Sequence, residues 1–403
     1  MSDIMGSNLR DIRLKNRAVI LELVVTEKQV SRVDLSRKTG LTKTTAGKVV
    51  SDLIDENIIC ETQTDVSDNG LGRKPVYLDI SPCSPCVCGM LIKRGLFSVI
   101  FADYKGVILA REDYKYNHSI TADSLVEILL RLYSKLKSVC DRKIVAVGIS
   151  AIGPIDVVKQ QLANPPDFFG ISNLQLPKII TNKIGLPTSI IHDANAGALA
   201  EKVYGNPSRP DDFIYVHIMG GIGIGYILKN QIYNGTSGMS GEIGHTSINF
   251  DGPLCHCGNT GCLEMYANMN KVNEKIRYMK KIYPACSILP ESESPYTWRE
   301  VVDAAEKSDF FALSALDEFC GYVSQALANV INLLDINHVI VGYDSSPEER
   351  TIVKIISEKL NSQMGIANNH TISVEKSVFG GDAPLIGSVA LITNKFFEGE
   401  WEF

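Results

Sequence analysis

The sequence lacks any long hydrophobic run. None of its 403 residues lies in a stretch approaching the roughly 18 to 20 consecutive apolar residues that span a bilayer, and residues 1–15 contain no apolar signal core. There is also no internal repeat and no low-complexity tract. Because 45% of the residues are hydrophobic and 21% are charged, the composition excludes a disordered or collagen-like chain. We therefore expect a cytoplasmic, globular protein of two or three domains that makes no membrane contact.

The net charge of −6 would ordinarily argue against a nucleic-acid partner. The acidity, however, lies after residue 80, because the first 80 residues contain 12 Lys and Arg against 12 Asp and Glu. A neutral segment with basic residues at chosen points can still bind phosphates, since patches matter more than totals. The ten cysteines are expected to be thiols or metal ligands, because a reducing cytosol disfavours disulfides.

Residues 1–80 predict a winged helix-turn-helix. Helical spacing of apolar residues indicates helices over residues 16–26 and 31–39, and Thr42 can cap a third helix. In that third helix, four apolar residues at i, i+3, i+4 and i+7 would face a core: Ala46, Val49, Val50 and Leu53. Residues 58–60 and 76–78 are typical of two strands, joined by a flexible tip over residues 70–75.

The outward face of the third helix is small, polar and basic, so it can enter a DNA major groove without clashing. The predicted DNA contacts are Lys43, Thr44, Thr45, Lys48, Arg73 and Lys74. On the helix, the lysines would meet phosphates and the threonines would approach base edges, while the two cations of the tip would reach the backbone or the minor groove. The alternative is a helical dimerisation or packing module with an ordinary solvated face, and the basic tip favours DNA.

After residue 82, strands and helices alternate, which predicts an α/β architecture. Strands are expected at 87–92, 97–103, 107–111, 144–149, 189–192, 213–218 and 224–228. Helices are expected at 122–137, 196–204, 317–334, 348–361 and 384–397.

One imidazole and three thiols fall within 18 residues and predict a metal site. The candidate ligands are His245, Cys255, Cys257 and Cys262, a set that suits tetrahedral zinc. Gly258 and Gly261 would let the loop fold tightly enough for the last two cysteines to meet one ion. Because four protein ligands leave no position for water, the zinc site is expected to be structural; free buried thiols are the alternative.

Four other side chains could bind a metal, but they are not predicted to be ligands. His256 is a spare donor that is expected to face solvent. Cys83, Cys86 and Cys88 also have a metal-like spacing, but they are expected at the edge of a strand without a fourth partner, and plain burial is favoured.

Several segments together resemble the ROK family of sugar kinases and repressors over nearly the whole chain. They are Glu242-x-x-His245, the Cys-x-Cys-Gly-x-x-Gly-Cys-x-Glu run over 255–264, His192-Asp193-Ala194-Asn195 and the Gly-Arg-Lys-Pro of 72–75. Residues 221–225, 240–242 and 383–384 most resemble the xylose-repressor branch. The resemblance implies a two-lobed, actin-like ATPase fold of the RNase H-like class, with a sugar in the cleft, and usually a homodimer.

The resemblance also implies a domain organisation and a set of sugar-binding residues. Residues 1–80 would be the DNA-binding domain and 81–403 the ROK sugar-binding domain, with lobe one at about 81–193 plus 383–403 and lobe two at about 194–382. The implied sugar partners are Asn164, Asp193, Glu242, His245 and Glu264. Carboxylates suit vicinal hydroxyls, because each accepts two hydrogen bonds. Asn164 is alternatively an ordinary turn residue and Asp193 a helix N-cap, and His192 stands where the family usually has Asn.

Three positions depart from the pattern of the family's kinases. The Asp-x-Gly-Gly-Thr phosphate turn corresponds here to residues 91–95, Leu-Ile-Lys-Arg-Gly, which lack its Asp and its two consecutive glycines. Met219-Gly220 stand in place of Gly and Thr in the second phosphate loop, and Gly342-Tyr343 in place of the adenosine-contacting Gly-Gly. These departures argue against catalysis.

The sequence therefore predicts a non-enzymatic, sugar-responsive repressor of carbohydrate-utilisation genes, with xylose as the lead effector by resemblance. A homodimer or higher homo-oligomer would bind a pseudo-palindromic operator in double-stranded DNA, and sugar entering the cleft would release it. The alternatives are a ROK sugar kinase with an appended DNA-binding domain and a DNA-binding activator with an empty, vestigial cleft.

Overall fold

The computed structural model describes residues 9–62, 76–284, 286–363 and 371–401. The chain divides into two compact units. Unit 1 comprises Met1–Ser150, Gln175–Ile190 and Ser388–Phe403, and unit 2 comprises Ala151–Leu174 and Ile191–Gly387. The domain and lobe boundaries expected from the sequence stay predictions.

Three helices and a small sheet form the first part of unit 1. They are α1 (Leu9–Thr26), β1 (Val30–Ser31), α2 (Arg32–Thr39), α3 (Lys43–Asp55), β2 (Ile59–Thr62) and β3 (Tyr77–Ile80), with antiparallel strand order β1-β3-β2. Ser31 and Asp34 form a capping box at the start of α2, and the side chain of Thr42 caps α3 as predicted. The predicted core face of α3 is also confirmed: Ala46, Val49, Val50 and Leu53 are buried. This arrangement is consistent with the expected winged helix-turn-helix.

A five-stranded sheet forms the centre of the rest of unit 1. Its elements and their neighbours are β4 (Cys86–Lys93), β5 (Leu96–Ala102), β6 (Ile108–Lys115), α4 (Ala122–Lys137), β7 (Ile144–Ala151), α5 (Leu176–Ile184) and β10 (Thr188–His192). The strand order is β10-β7-β4-β5-β6. The burial expected of Cys86 and Cys88 is confirmed, because both thiols are fully buried, although β4 is the central strand of the sheet and not an edge strand. The burial expected of Cys83 is wrong, because its side chain is exposed.

Unit 2 contains a second five-stranded sheet of order β13-β12-β11-β14-β15. The elements of unit 2 are β8 (Ile155–Asp156), β9 (Gln161–Leu162), α6 (Asp193–Tyr204), β11 (Phe213–Ile218), β12 (Ile222–Leu228), β13 (Gln231–Ile232), α7 (Met269–Ile282), α8 (Trp298–Glu306), α9 (Phe310–Leu334), β14 (His338–Gly342), α10 (Thr351–Gln363) and β15 (Ser373–Lys376). Strands β8 and β9 pair with each other in a separate two-stranded sheet. The last helix, α11 (Ala383–Phe397), begins in unit 2 and continues into unit 1. The largest apolar cluster packs α7, α8, α9 and α10 on this sheet.

Helix α6 packs unusually close to β12. A Cβ atom built on Gly225 would lie 2.6 Å from the carbonyl oxygen of Ala194, and one on Gly223 would lie 3.1 Å from the Cβ of Ala194. The first turn of α6 is therefore held against the first half of β12, and this contact fixes where the residues preceding the helix lie. Among the described residues, no helix is both long and apolar enough to cross a membrane.

Candidate functional site

The predicted sugar residue Asp193 begins α6. His192 occupies the N-cap position, and its side chain makes no capping hydrogen bond. The Oδ1 atom of Asp193 accepts a hydrogen bond from the backbone N–H of Ala194 over 2.7 Å. The alternative interpretation of Asp193 as the N-cap residue is therefore wrong, because the helix begins one residue earlier than expected for a cap at that position.

His192 lies between two of the predicted sugar carboxylates. Its Nε2 atom is 3.3 Å from Oδ1 of Asp193 and 3.8 Å from Oε1 of Glu242. The ring is 8% exposed and packs so closely on Gly153 that a Cβ atom there would lie 2.4 Å from Cδ2. Its Nδ1 atom is buried and has no hydrogen-bond partner in the described part of the chain. The departure from Asn was the only sequence signal for this central position.

Glu242 is held near His192 by a tight connection to β12. The backbone N–H of Ile224 donates to the carbonyl of Gly241 over 2.9 Å. Gly241 has a φ of 92°, and a Cβ atom on it would lie 1.9 Å from the carbonyl oxygen of Ile224. Only glycine fits both the left-handed backbone and this approach. The backbone conformation and close packing at position 241 therefore require glycine, and they determine where Glu242 begins.

Glu264 approaches the start of β12 from the other side. It lies in a short 3₁₀ turn over Leu263–Met265, and its Oε1 atom accepts from the backbone N–H of Ile222 over 3.3 Å. A Cβ atom on Gly244, between Glu242 and His245, would lie 2.8 Å from Cγ of Glu264. Asp193, Glu242, His245 and Glu264 are therefore grouped around the first residues of β12.

Asn164 is not drawn into this group by any contact of the described residues. It is exposed and follows β9 by two residues. Its assignment as a cleft residue stays a prediction.

The four predicted metal ligands converge. One ligand atom from each of His245, Cys255, Cys257 and Cys262 lies within 4.8 Å of all the others. The Sγ atom of Cys255 is 3.7 Å from Nδ1 of His245, and the Sγ atoms of Cys257 and Cys262 are 3.6 Å apart. A tetrahedral ion with bonds of about 2.3 Å to sulfur and about 2.05 Å to nitrogen gives corresponding edges of about 3.6 and 3.8 Å. The cluster therefore has the size of a four-coordinate metal site.

The loop that carries the cysteines is closed by its own backbone. The N–H of Cys255 donates to the carbonyl of Asn259 over 2.8 Å, and the N–H of Gly261 donates to the carbonyl of Pro253 over 2.8 Å. Gly261 has a φ of 68°, and a Cβ atom on it would lie 1.7 Å from the carbonyl oxygen of Asn249. The close approach that places Cys262 beside His245 thus requires glycine.

The pKa values of two neighbouring thiols in this cluster are shifted in opposite directions. The backbone N–H of Asn259 lowers the pKa of Cys257. Burial raises the pKa of Cys262 to about 12, helped by the neighbouring thiols. Metal ligation would require both thiols to lose their protons, because the thiolate is the ligating form.

His256, the spare donor of the sequence analysis, lies beside one of the predicted metal ligands. It is exposed as expected, but its ring centroid lies 5.2 Å from that of His245. A ring nitrogen of His256, a ring nitrogen of His245 and a carboxylate oxygen of Glu264 all lie within 4.8 Å of one another.

The segments that correspond to nucleotide-binding loops are occupied by internal contacts. In unit 1, the β4–β5 turn has its Lys93 and Gly95 carbonyls bonded to the hydroxyl and the N–H of Tyr116, each over 3.1 Å. In unit 2, the indole N–H of Trp298 donates to the carbonyl of Met219 over 2.8 Å. Tyr343 is fully buried, and Nζ of Lys376 lies 5.3 Å from its ring centroid.

The predicted DNA contacts on α3 differ in their availability. Lys43, Thr44 and Lys48 are exposed, whereas Thr45 is half-buried and its hydroxyl lies 2.9 Å from that of Thr42. Within the described ranges, neither Lys43 nor Lys48 forms an ion pair. Other cations of the same region do: the pairs are Arg13–Asp52, Arg17–Glu56, Arg37–Asp34 and Lys38–Glu27. Arg73 and Lys74 lie outside the described residues.

Residues 94–395 match the model of the ROK family. That range covers most of the chain. The chain belongs to the ROK family. Among curated relatives of this ROK protein, the xylose repressor of Bacillus spizizenii is 27% identical over 390 residues, covering 96% of this chain and 97% of the relative. The DNA-binding transcriptional repressor Mlc of Escherichia coli is 24% identical and covers 97% of this chain and 96% of the relative.

Two solved structures support the fold. A ROK family transcriptional regulator, a homologue of the Escherichia coli Mlc protein, has a TM-score of 0.79 at 24% identity and covers 96% of this chain and 98% of its own. A ROK family glucokinase from Streptomyces griseus, solved with glucose and AMPPNP, has a TM-score of 0.68 at 24% identity and covers 76% of this chain and 98% of its own. The mixed α/β, actin-like ROK fold predicted from the sequence is thereby confirmed.

Proposed function

We propose that this protein is a ROK-family transcriptional repressor that binds operator DNA and is released by a sugar. The support is of two kinds. Relatives that span 96% or more of the chain are named repressors, whereas the glucokinase structure covers 76% of it. In addition, α3 exposes two lysines that form no ion pair within the described part of the chain, and unit 2 groups carboxylates suited to hydroxyls.

On the DNA side, α3 is the proposed recognition helix of a winged helix-turn-helix. The observation that carries this part is that Lys43 and Lys48 are exposed and make no ion pair with the described residues, while four neighbouring cations are neutralised by carboxylates. Two such heads in a homodimer would contact half-sites about one DNA turn, roughly 34 to 36 Å, or a multiple apart. The operator is therefore expected to be pseudo-palindromic.

On the effector side, Asp193, Glu242, His245 and Glu264 are the proposed sugar partners, with Asn164 as a further cleft residue and D-xylose as the lead effector. A structural zinc ion held by His245, Cys255, Cys257 and Cys262 would keep His245 and the loop carrying Glu264 in place. This rigidity favours binding, because little conformational freedom is lost when a sugar enters.

Release from DNA requires that the sugar bind the two conformations of the protein with different affinity. A coupling free energy of about 1 to 3 kcal/mol would lower operator affinity roughly 5- to 150-fold. The genes under control are then expected to serve the uptake or use of the same sugar.

Fluorescence anisotropy with promoter fragments, titrated with D-xylose, D-glucose, N-acetylglucosamine and N-acetylmannosamine, tests the proposal. One sugar should weaken DNA binding at a concentration that matches its affinity measured by calorimetry. The proposal fails if the protein binds no promoter fragment, or if every sugar leaves the anisotropy curve unchanged. DNA binding combined with calorimetric silence would favour the activator with an empty cleft.

The second candidate is a sugar kinase with an appended DNA-binding domain, because the resemblance to the family implies that Asp193 takes the position of the catalytic base in its kinases. Against it stand the cationic β4–β5 turn, the Met219 carbonyl bonded to Trp298 and the buried Tyr343. We propose that this protein does not transfer phosphate. Incubation with Mg-ATP and the same sugars should yield no sugar phosphate, and robust transfer would overturn the repressor-only assignment.

A further inference from the structure

The proposed function leaves one side chain of the metal loop without a role. His256 follows the ligand Cys255 directly, and its Nδ1 atom is 3.8 Å from the sulfur of that cysteine. Its ring also belongs to a polar group with His245 and Glu264, in which one atom from each residue lies within 4.8 Å of the others. The loop closure described above, rather than sequence proximity, brings His256 to Glu264.

We infer that His256, His245 and Glu264 form a binding site for one hydroxyl group of the effector, with His256 as an additional sugar-contacting residue. This inference rests on the proposed function, because it assigns a specific contact within the same sugar site.

The dimensions suit an oxygen atom. At the largest separation of 4.8 Å, the centre of an equilateral triangle lies about 2.8 Å from each corner. That distance is an upper limit, because the three atoms lie within 4.8 Å of one another, and it is close to the usual hydrogen-bond length of about 2.7 to 3.2 Å for N–H···O. A ligand oxygen can therefore reach all three side chains at once.

The chemistry of the three groups also matches a hydroxyl. A hydroxyl has one donor and two acceptor lone pairs, a carboxylate accepts, and an imidazole ring nitrogen can carry a donating proton. The hydroxyl would donate to Glu264 and accept from the two imidazoles, which satisfies all of its hydrogen-bonding capacity. An anionic ligand would instead meet the Glu264 carboxylate, so the site favours a neutral polyol.

Three variants of the full-length protein test the inference. His256→Ala removes the contact, His256→Gln retains a donor near the same position, and His118→Ala removes an exposed imidazole of unit 1 as a matched control. Each is titrated by calorimetry with the member of the four-sugar panel that binds the wild-type protein most tightly, and bound metal is measured by elemental analysis.

We expect His256→Ala to weaken sugar binding about 5- to 10-fold, with His256→Gln intermediate and His118→Ala unchanged. Metal content should be equal in all four proteins. Wild-type affinity in His256→Ala would overturn the inference, and so would a loss of metal in that variant, which would make His256 a ligand. If the wild-type protein binds none of the four sugars, the proposed effector function itself has failed.

Discussion

The two unpaired lysines of α3 lead to a quantitative prediction about salt. Lys43 and Lys48 are exposed and form no ion pair with the described residues. If each neutralises one phosphate, replacing it by alanine removes the release of condensed counterions at that position. The effect should be the same for specific and non-specific DNA, because a phosphate contact carries no sequence information.

The size of the effect follows from the number of contacts. Each phosphate contact contributes about 0.9 to the slope of log affinity against log salt concentration. In the proposed homodimer, one substitution removes two contacts, so Lys43→Ala or Lys48→Ala should reduce the slope by about 1.8 and the double variant by about 3.6. At 0.15 M salt, two lost contacts correspond to roughly 30-fold weaker binding.

Anisotropy titrations of a promoter fragment between about 0.05 and 0.3 M salt measure these slopes. Lys135→Ala serves as a control for net charge, because Lys135 lies on α4 and its Nζ atom is 2.8 Å from Glu112. Phosphate contacts by Lys43 and Lys48 are excluded if neither α3 variant changes the slope, or if Lys135→Ala changes it by the same amount.

Three further predictions concern metal, backbone and stability. Cys257→Ser should lower the metal content measured by elemental analysis, whereas the exposed Cys83→Ser should not. Gly241→Ala should lower the unfolding free energy by about 3 kcal/mol or more in denaturant titrations, because the positive φ and the nearby carbonyl of Ile224 leave no room for a Cβ atom. Gly47→Ala is the control: open space surrounds this position, and the substitution should raise the unfolding free energy by up to about 1 kcal/mol. Asp309→Asn should cost about 2 kcal/mol, because this nearly buried carboxylate caps α9. Burial alone raises the pKa of Asp309, but hydrogen bonds from Ala312, Ser287, Ile288 and Phe311 outweigh it and lower the pKa. A lowered folded-state pKa stabilises above the unfolded value, so the wild-type protein should lose this stability as the pH falls below about 4, and chemical denaturation of the variant should show a smaller loss.

Local sequence patterns are sufficient to predict a helix that buries one regular stripe of apolar residues. Thr42 and the apolar spacing that follows it predict α3, and the structure confirms both the cap and the buried face. Helix α7 was missed, because most of its residues are polar and its buried face includes Lys280. That ammonium group donates to the carbonyls of Leu289 and Pro290, a loop contact that the sequence of the helix does not reveal.

In the candidate site, too, the sequence predicts residue types but not the contacts made by residues distant in the chain. Motifs identified the carboxylates and the four metal ligands as residue types at suitable spacings. The position of His192 between Asp193 and Glu242 depends on the Gly153 segment and on β12, which are distant in sequence. The approach of His256 to Glu264 likewise depends on the closure of a loop. Long-range packing of glycines, rather than any local pattern, decides these contacts.

The spacing of Cys262 and Glu264 has a physiological consequence. Only one residue separates the proposed metal ligand Cys262 from the proposed effector contact Glu264, and His245 belongs to both groups. If the site holds zinc and the protein is the proposed sugar-released repressor, zinc starvation would impair sugar binding before it impaired DNA binding. Genes under such control would stay silent in metal-poor media even when the nutrient is abundant.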